Sequence, residues 1–328
     1  YGTKENVKLL SGFGINCEMV EEASEKKPVL HWDVLKEAID FIKADCNLGN
    51  MEPVNIKNIM QAGQTINFAK MASNGSDFII INGDDFFCLN YSSLAIDLCK
   101  RNSSIGSQFL IVITRLSESV PFVRIFSANG KELLNQTEAL GVAARYCYEK
   151  NKKTEGVNLQ LETGTGIHNL ILYKKNNVIT SVCEKVNIVS PDCENKQIFA
   201  GGMNYGASIV KLNNTHCIIN TNCVEKIDLE LFGNMMEDDM KEVTLQFISI
   251  SSDNSMRIRT WNSTDGEMVS SVEGACAAVP AGVMNGWCKK DQDIFVTFKG
   301  GQLCVRYTND TLYVTSGVQN VYQGQIQL

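Results

Sequence analysis

The sequence predicts an α+β protein of two similar strand-rich halves, each built around a buried helix, behind an N-terminal extension. Three observations predict it. From Ile66 onward, short alternating or continuous apolar runs of strand length dominate the chain. A strand-and-turn, Val123-Arg124-Ile125 then Asn129-Gly130-Lys131-Glu132, is echoed by Met256-Arg257-Ile258 then Asp265-Gly266-Glu267. After each copy comes an alanine-rich helix, Glu138–Ala143 (EALGVA) and Glu273–Ala278 (EGACAA). The copies lie roughly 135 residues apart, which marks an internal repeat. Helices this rich in small apolar residues are covered on all sides.

The elements follow in order. Residues 1–63 form the extension, whose one clear pattern is His31–Ala44, with Trp32, Leu35, Ile39 and Ile42 at helical spacing. The first half spans 64–185 and takes back a C-terminal strand from 316–328; the second spans 186–315. Strands are expected at Ile66–Met71, Phe78–Asn82, Phe109–Thr114, Val123–Ser127, Val157–Glu162, Asn169–Tyr173 and Val178–Val182. A second series covers Ala207–Leu212, Cys217–Asn220, Thr244–Ile250, Met256–Trp261, Ile294–Phe298, Gln302–Tyr307, Thr311–Thr315 and Val321–Leu328. Helices are expected at Ser93–Arg101, Glu138–Lys150, Val224–Met236 and Gly274–Gly286.

Composition narrows the function classes. A net charge of −7 and the lack of any long basic block argue against nucleic-acid binding. No run of roughly 18 apolar residues is present, so no membrane span is expected. The twelve cysteines form no C-x-x-C pair, which argues against a zinc ribbon and for buried free thiols. A soluble cytoplasmic or organellar location is expected. Secretion is the alternative, suggested by those cysteines and by seven N-x-S/T sequons. Asp84-Asp85 and Glu237-Asp238-Asp239 read as solvated loop charges, so no metal site is expected. His168 reads as a turn or surface residue.

Five motifs, in order, carry a resemblance. They are FAKMASNGSDFIII (Phe68–Ile81), RIFSANGKE (Arg124–Glu132), NNTHCII (Asn213–Ile219), GEMVSSVEGACAA (Gly266–Ala278) and the ending VTSGVQNVYQGQIQL. The chain from about residue 66 onward resembles the diaminopimelate epimerases. That resemblance implies two pseudo-symmetric halves, each a strand-rich barrel around a central helix, with the site between them. It implies cofactor-free chemistry in which a thiolate removes the alpha proton and a thiol on the opposite face returns one. Each cysteine would sit at a helix N-terminus, where backbone N–H groups favour the thiolate and bind the substrate carboxylate.

The matching positions here hold Gln136 and Ser271. Neither side chain is a competent acid–base group near neutral pH, so no catalytic residue is expected at either position. The rest of the implied pocket reads as vestigial: Ser76, Ser127, Thr137, Glu138, Asn214, His216, Thr244, Asn262, Ser263 and Glu273. Of these, Asn214 keeps the family's residue, with His216 beside it, whereas Ser76, Ser127, Thr244 and the pair Asn262-Ser263 replace it. Ser270-x-x-Glu273 and Asn135-x-x-Glu138 have the spacing of capping boxes, in which each Glu would reach back to its own helix start.

The expected function is a non-catalytic relative, a structural or assembly subunit associating with other subunits or with a second copy of itself. The lost contact residues argue against an amino-acid ligand. The alternatives are an isomerase of altered chemistry using Ser271, His216 or Cys276, and a small-ligand sensor. A cavity filled by side chains would fit the subunit, and an open one faced by Gln136 and Ser271 would fit either alternative.

Overall fold

The computed structural model describes residues 65–327, apart from 87, 89, 135, 152–157, 188–191, 213, 237–242 and 310. The extension, with its expected helix at His31–Ala44, lies outside the described residues.

The first half opens with a hairpin of β1 (Thr65–Ser73) and β2 (Ser76–Asn82). Helix α1 (Tyr91–Leu98) leads to β3 (Phe109–Thr114), parallel to β2. Then come β4 (Phe122–Ser127), the two-residue β5 (Glu132–Leu133) and α2 (Thr137–Lys150). Strands β6 (Asn158–Thr163), β7 (Gly166–Lys175) and β8 (Val178–Asn187) complete the run. The second half repeats the plan. It runs through β9 (Asp192–Ala200), β10 (Met203–Lys211), β11 (Thr215–Asn220), α3 (Leu229–Asn234), β12 (Thr244–Ser252), β13 (Ser255–Asn262) and β14 (Gly266–Met268). It continues with α4 (Val272–Met284), β15 (Asp293–Phe298), β16 (Gly301–Tyr307) and β17 (Thr311–Gly317). The chain then crosses back, and β18 (Gln319–Gln327) pairs antiparallel with β1.

The neighbour order is β18-β1-β2-β3-β4-β6-β7-β8 in one half and β9-β10-β11-β12-β13-β15-β16-β17 in the other. The parallel pairs fall at the same places: β2 with β3 and β4 with β6, then β11 with β12 and β13 with β15. Antiparallel pairing of β8 with β17 joins the halves into one sheet.

The side-chain alternation explains the layering. Phe78 and Ile80 of β2 and Ile111 and Ile113 of β3 turn inward onto α2, while Ile79, Ile81, Leu110 and Val112 turn outward under α1. Both faces are covered, so these strands read as unbroken apolar runs. In the second half Ile248 and Ile258 face α4, while Leu245, Phe247 and Trp261 lie under α3. Helix α2 buries Glu138 through Cys147 without a break, and α4 buries Gly274 through Gly282. In α4 the buried run is almost all glycine, alanine and other small residues, which lets the strands pack close around it. No helix among the described residues is long and apolar enough to cross a membrane.

Three expectations are corrected. Val224–Met236 is not one helix: a 3-10 turn at Val224–Lys226 ends, and Asp228 starts α3 by accepting the Leu231 N–H at 2.9 Å. An aspartate able to cap stops the preceding turn and begins a new one. Helix α1 starts at Tyr91 because the Asn90 side chain caps it through the Ser93 N–H at 3.1 Å, and it ends at Leu98, short of the expected Arg101. Strand β9 was not expected at all: it is largely exposed and pairs with β10 alone, so it carries no apolar period.

Candidate functional site

The strand–turn–helix of each repeat delivers a helix N-terminus to the junction between the halves. There α2 and α4 face a cavity of about 870 Å³. Its wall includes Gln136, Thr137 and Glu138 from one helix start and Ser271, Val272 and Glu273 from the other. The two N-cap residues share a backbone geometry, with φ −154° and ψ 103° at Gln136 and φ −151° and ψ 101° at Ser271. Their side chains differ. The Ser271 hydroxyl oxygen accepts the Gly274 N–H at 3.0 Å, whereas Gln136 makes no side-chain cap and its amide oxygen is buried without a donor. The cavity is therefore open and faced by both residues that stand at the cysteine positions.

Neither glutamate caps its own helix, which overturns the capping-box expectation. The helices begin one residue later than that spacing required, so Glu138 and Glu273 are the second residues of their helices, not the third. From there each carboxylate turns outward. Glu138 is 6% exposed and is held by Asn74 and Ser76 of the β1–β2 hairpin and by Ser270, whose hydroxyl donates at 3.4 Å from the other half. The hairpin reaches this point because its turn packs on the β15–β16 turn, where a Cβ on Gly75 would lie 2.8 Å from the Gly300 backbone. Burial pushes the Glu138 carboxyl up to about 7, against the smaller lowering effect of its three hydrogen bonds. Glu273 accepts the Asn214 backbone N–H at 3.2 Å and its side-chain amide at 2.9 Å, with His216 Nε2 at 3.7 Å. Burial raises the Glu273 carboxyl, but His216 beside it and the hydrogen bonds from Asn214 leave it below its ordinary value.

Of the expected pocket residues, the cavity wall gathers Ser76, Thr137, Glu138 and Glu273. Asn214 reaches it through Glu273. His216 lies behind, 1% exposed, with Nδ1 2.8 Å from Gln246 Nε2. Thr244 is its partner across β11 and β12, outside the wall. Ser127 stays in the β4–β5 turn, where its hydroxyl bonds Asn129 and the Lys131 carbonyl. The Asn262 side chain accepts the Thr264 and Asp265 N–H groups, which ties it into its own turn. It lines, with Ser263, a separate depression of about 560 Å³. Sequence reasoning missed Asn74 and Ser270, because their role depends on where Glu138 points. It also misread His168, which is no free surface group. His168 Nδ1 lies 2.9 Å from Glu184 Oε1, and Nε2 lies 3.1 and 3.2 Å from the hydroxyls of Thr163 and Thr165.

The chemistry open to the wall is limited. Cys276 lines it, but burial pushes that thiol up to about 12 and removes it from acid–base work near neutral pH. Glu138 is the wall group that exchanges a proton near pH 7. Asp84 is engaged by the N–H groups of Arg115 and Leu116, and 237–239 lie outside the described residues. Among the described residues no cluster of three or more His, Cys, Asp or Glu side chains is placed to hold a metal ion. Cys99, Cys147, Cys183, Cys217, Cys276 and Cys288 are buried free thiols.

The sequence matches no protein-family model. It is 29% identical over 283 residues to a diaminopimelate epimerase of Halothermothrix orenii, covering 80% of this chain and 98% of that protein. It is 26% identical over 277 residues to a diaminopimelate epimerase of Bacillus licheniformis, covering 79% and 97%. Among solved structures, a phenazine biosynthesis protein of the PhzF family from Bacillus anthracis superposes with a TM-score of 0.63 at 13% identity, over 81% of this chain and 100% of that one. A hydroxyproline epimerase from Agrobacterium vitis gives 0.57 at 12% identity, over 80% and 93%. These two share the fold.

Proposed function

Since this chain is a relative of the diaminopimelate epimerases in sequence and has the fold of PhzF-like and epimerase-like isomerases, we propose that it is a pseudoenzyme that has lost two-base epimerisation and keeps the cavity as a small-molecule binding site. The observation that carries this reading is the pair of N-caps. Gln136 and Ser271 face an open cavity from the two positions that two-thiol chemistry would need. A carboxamide cannot accept the alpha proton, and the Ser271 oxygen is already engaged by the Gly274 N–H. Glu273, two residues after its N-cap and held below its ordinary value, repels a substrate carboxylate from the helix end that would otherwise bind it. An assembly role with other subunits or a second copy remains part of the proposal. The open cavity adds a ligand to it.

The test is proton exchange. In heavy water, diaminopimelate incubated with the protein should show no deuterium at the alpha carbon above the protein-free control, read by NMR. Incorporation at an enzymic rate, abolished in Ser271→Ala, would overturn the proposal. One observation favours a second reading, a cofactor-independent isomerase of altered chemistry: Glu138 lines the cavity and titrates near neutral pH. Deuterium uptake by another amine or amino acid, lost in Glu138→Gln, would establish that reading instead.

A further inference from the structure

We propose that the cavity between the halves takes an aliphatic diamine, one ammonium group seated at Glu138 and the other at Glu273, with the connecting chain against the apolar wall. This rests on the reading that the cavity binds a small molecule, and it names the class.

Charge is the first argument. The wall carries Glu138, Glu273, Asp265, Glu267 and Lys211. Glu267 is neutralised by a two-pronged contact from Arg259 at 2.7 and 3.0 Å, and Lys211 is paired with Asp192 at 3.4 Å. The surplus is acidic and includes one carboxylate at each helix start. A ligand carboxylate meets like charge at Glu273 in a partly desolvated site, whereas an ammonium meets opposite charge there and favours the ionised form of Glu138.

Hydrogen-bond complementarity is the second. The partners of Glu138 are all neutral: Asn74, Ser76 and Ser270. The Gln136 amide oxygen in the same wall is buried and receives no donor. That oxygen is sealed from the cavity as it stands, so a ligand N–H satisfies it only once the Gln136 side chain turns. An ammonium group brings three donors and no acceptor. The same wall presents Phe109, Val186, Met268 and Val272, which suit methylene groups better than further polar atoms.

Calorimetric titration of the full chain with 1,5-diaminopentane tests the proposal. The matched probe is diaminopimelate, which has the same spacing between amines and adds a carboxylate beside each. The diamine should bind about tenfold or more tighter than diaminopimelate and than n-pentylamine, which lacks the second charge. Glu273→Gln and Glu138→Gln should each weaken it by about tenfold, in variants whose melting transitions show them folded. Binding should tighten about tenfold from pH 6 to pH 8, as the fraction of Glu138 that is ionised rises. That dependence should flatten in Glu138→Gln. Diaminopimelate binding as tightly as the diamine would overturn the class assigned here and leave the cavity a binding site. No binding by any diamine from three to eight carbons at millimolar concentration would overturn the proposal. Loss of two-base chemistry is decided separately by the exchange experiment.

Discussion

A carboxyl that is 6% exposed and bonded only by neutral groups keeps its proton to about pH 7, and Glu138 is such a group. The unfolded chain releases the same proton near the ordinary value of 4.5. The native state therefore binds more protons than the unfolded state between these values, and stability falls as pH rises through the window. The loss is complete above about pH 7 and is on the order of 3 kcal/mol. Glu138→Gln, neutral and of the same shape, removes it. In urea denaturation the variant and its parent should agree near pH 4.5, and the variant should be the more stable at pH 8. Equal stability at both values would show that Glu138 does not titrate in this range. This behaviour was not legible in the sequence. Spacing marked Glu138 as a candidate cap, and one residue of helix register decides whether it reaches back to its own N–H groups or across to Ser270. The replacement of both cysteines, by contrast, could be read directly at Gln136 and Ser271.

At the scale of the element, the two lumen helices were the most legible features. Runs such as Ala139–Ala144 and Ala275–Ala281 have no polar face to give to water. The outer helices were less so. The pattern over Val224–Met236 has helical spacing, yet Asp228 breaks it, because a local side-chain cap competes with continuation of the turn. Past that break α3 lies close on β13, and a methyl group on Gly233 would collide with the Trp261 ring. Gly233→Ala must push the helix or the indole aside. It should cost about 1–3 kcal/mol in chemical denaturation, although alanine is the better helix former. A neutral or stabilising effect would mean that α3 is free to lift from the sheet. Strand β9 could not be read from sequence because an exposed strand with one partner needs no apolar period.

For the whole molecule, the internal repeat announced the two halves, and the shared strand order and matched parallel pairs bear it out. The openness of the cavity could not be read, because it depends on how side chains of both halves meet. The crossing of β18 into the first half has a direct consequence for stability. Residues 319–327 cover the free edge of β1, with Thr65 opposite Gln327, and Tyr322 packs edge-on against Phe68. The preceding Val318 is held by Arg145, which donates to its carbonyl at 2.6 Å from α2. Removal of residues 319–328 should leave β1 as an exposed apolar edge, and the product should aggregate on expression. A soluble, monomeric truncation in size-exclusion chromatography would show that the edge is protected otherwise.

The same crossing sets an order of events during synthesis. The first half is translated early, yet its sheet lacks one strand until residues near 327 have emerged from the ribosome, some 260 positions after β1, and at about 5–20 residues per second that wait exceeds ten seconds. Throughout it, one edge of β1 lies unpaired beside a growing chain. Nascent molecules of this protein must be shielded or kept apart until the lagging strand arrives.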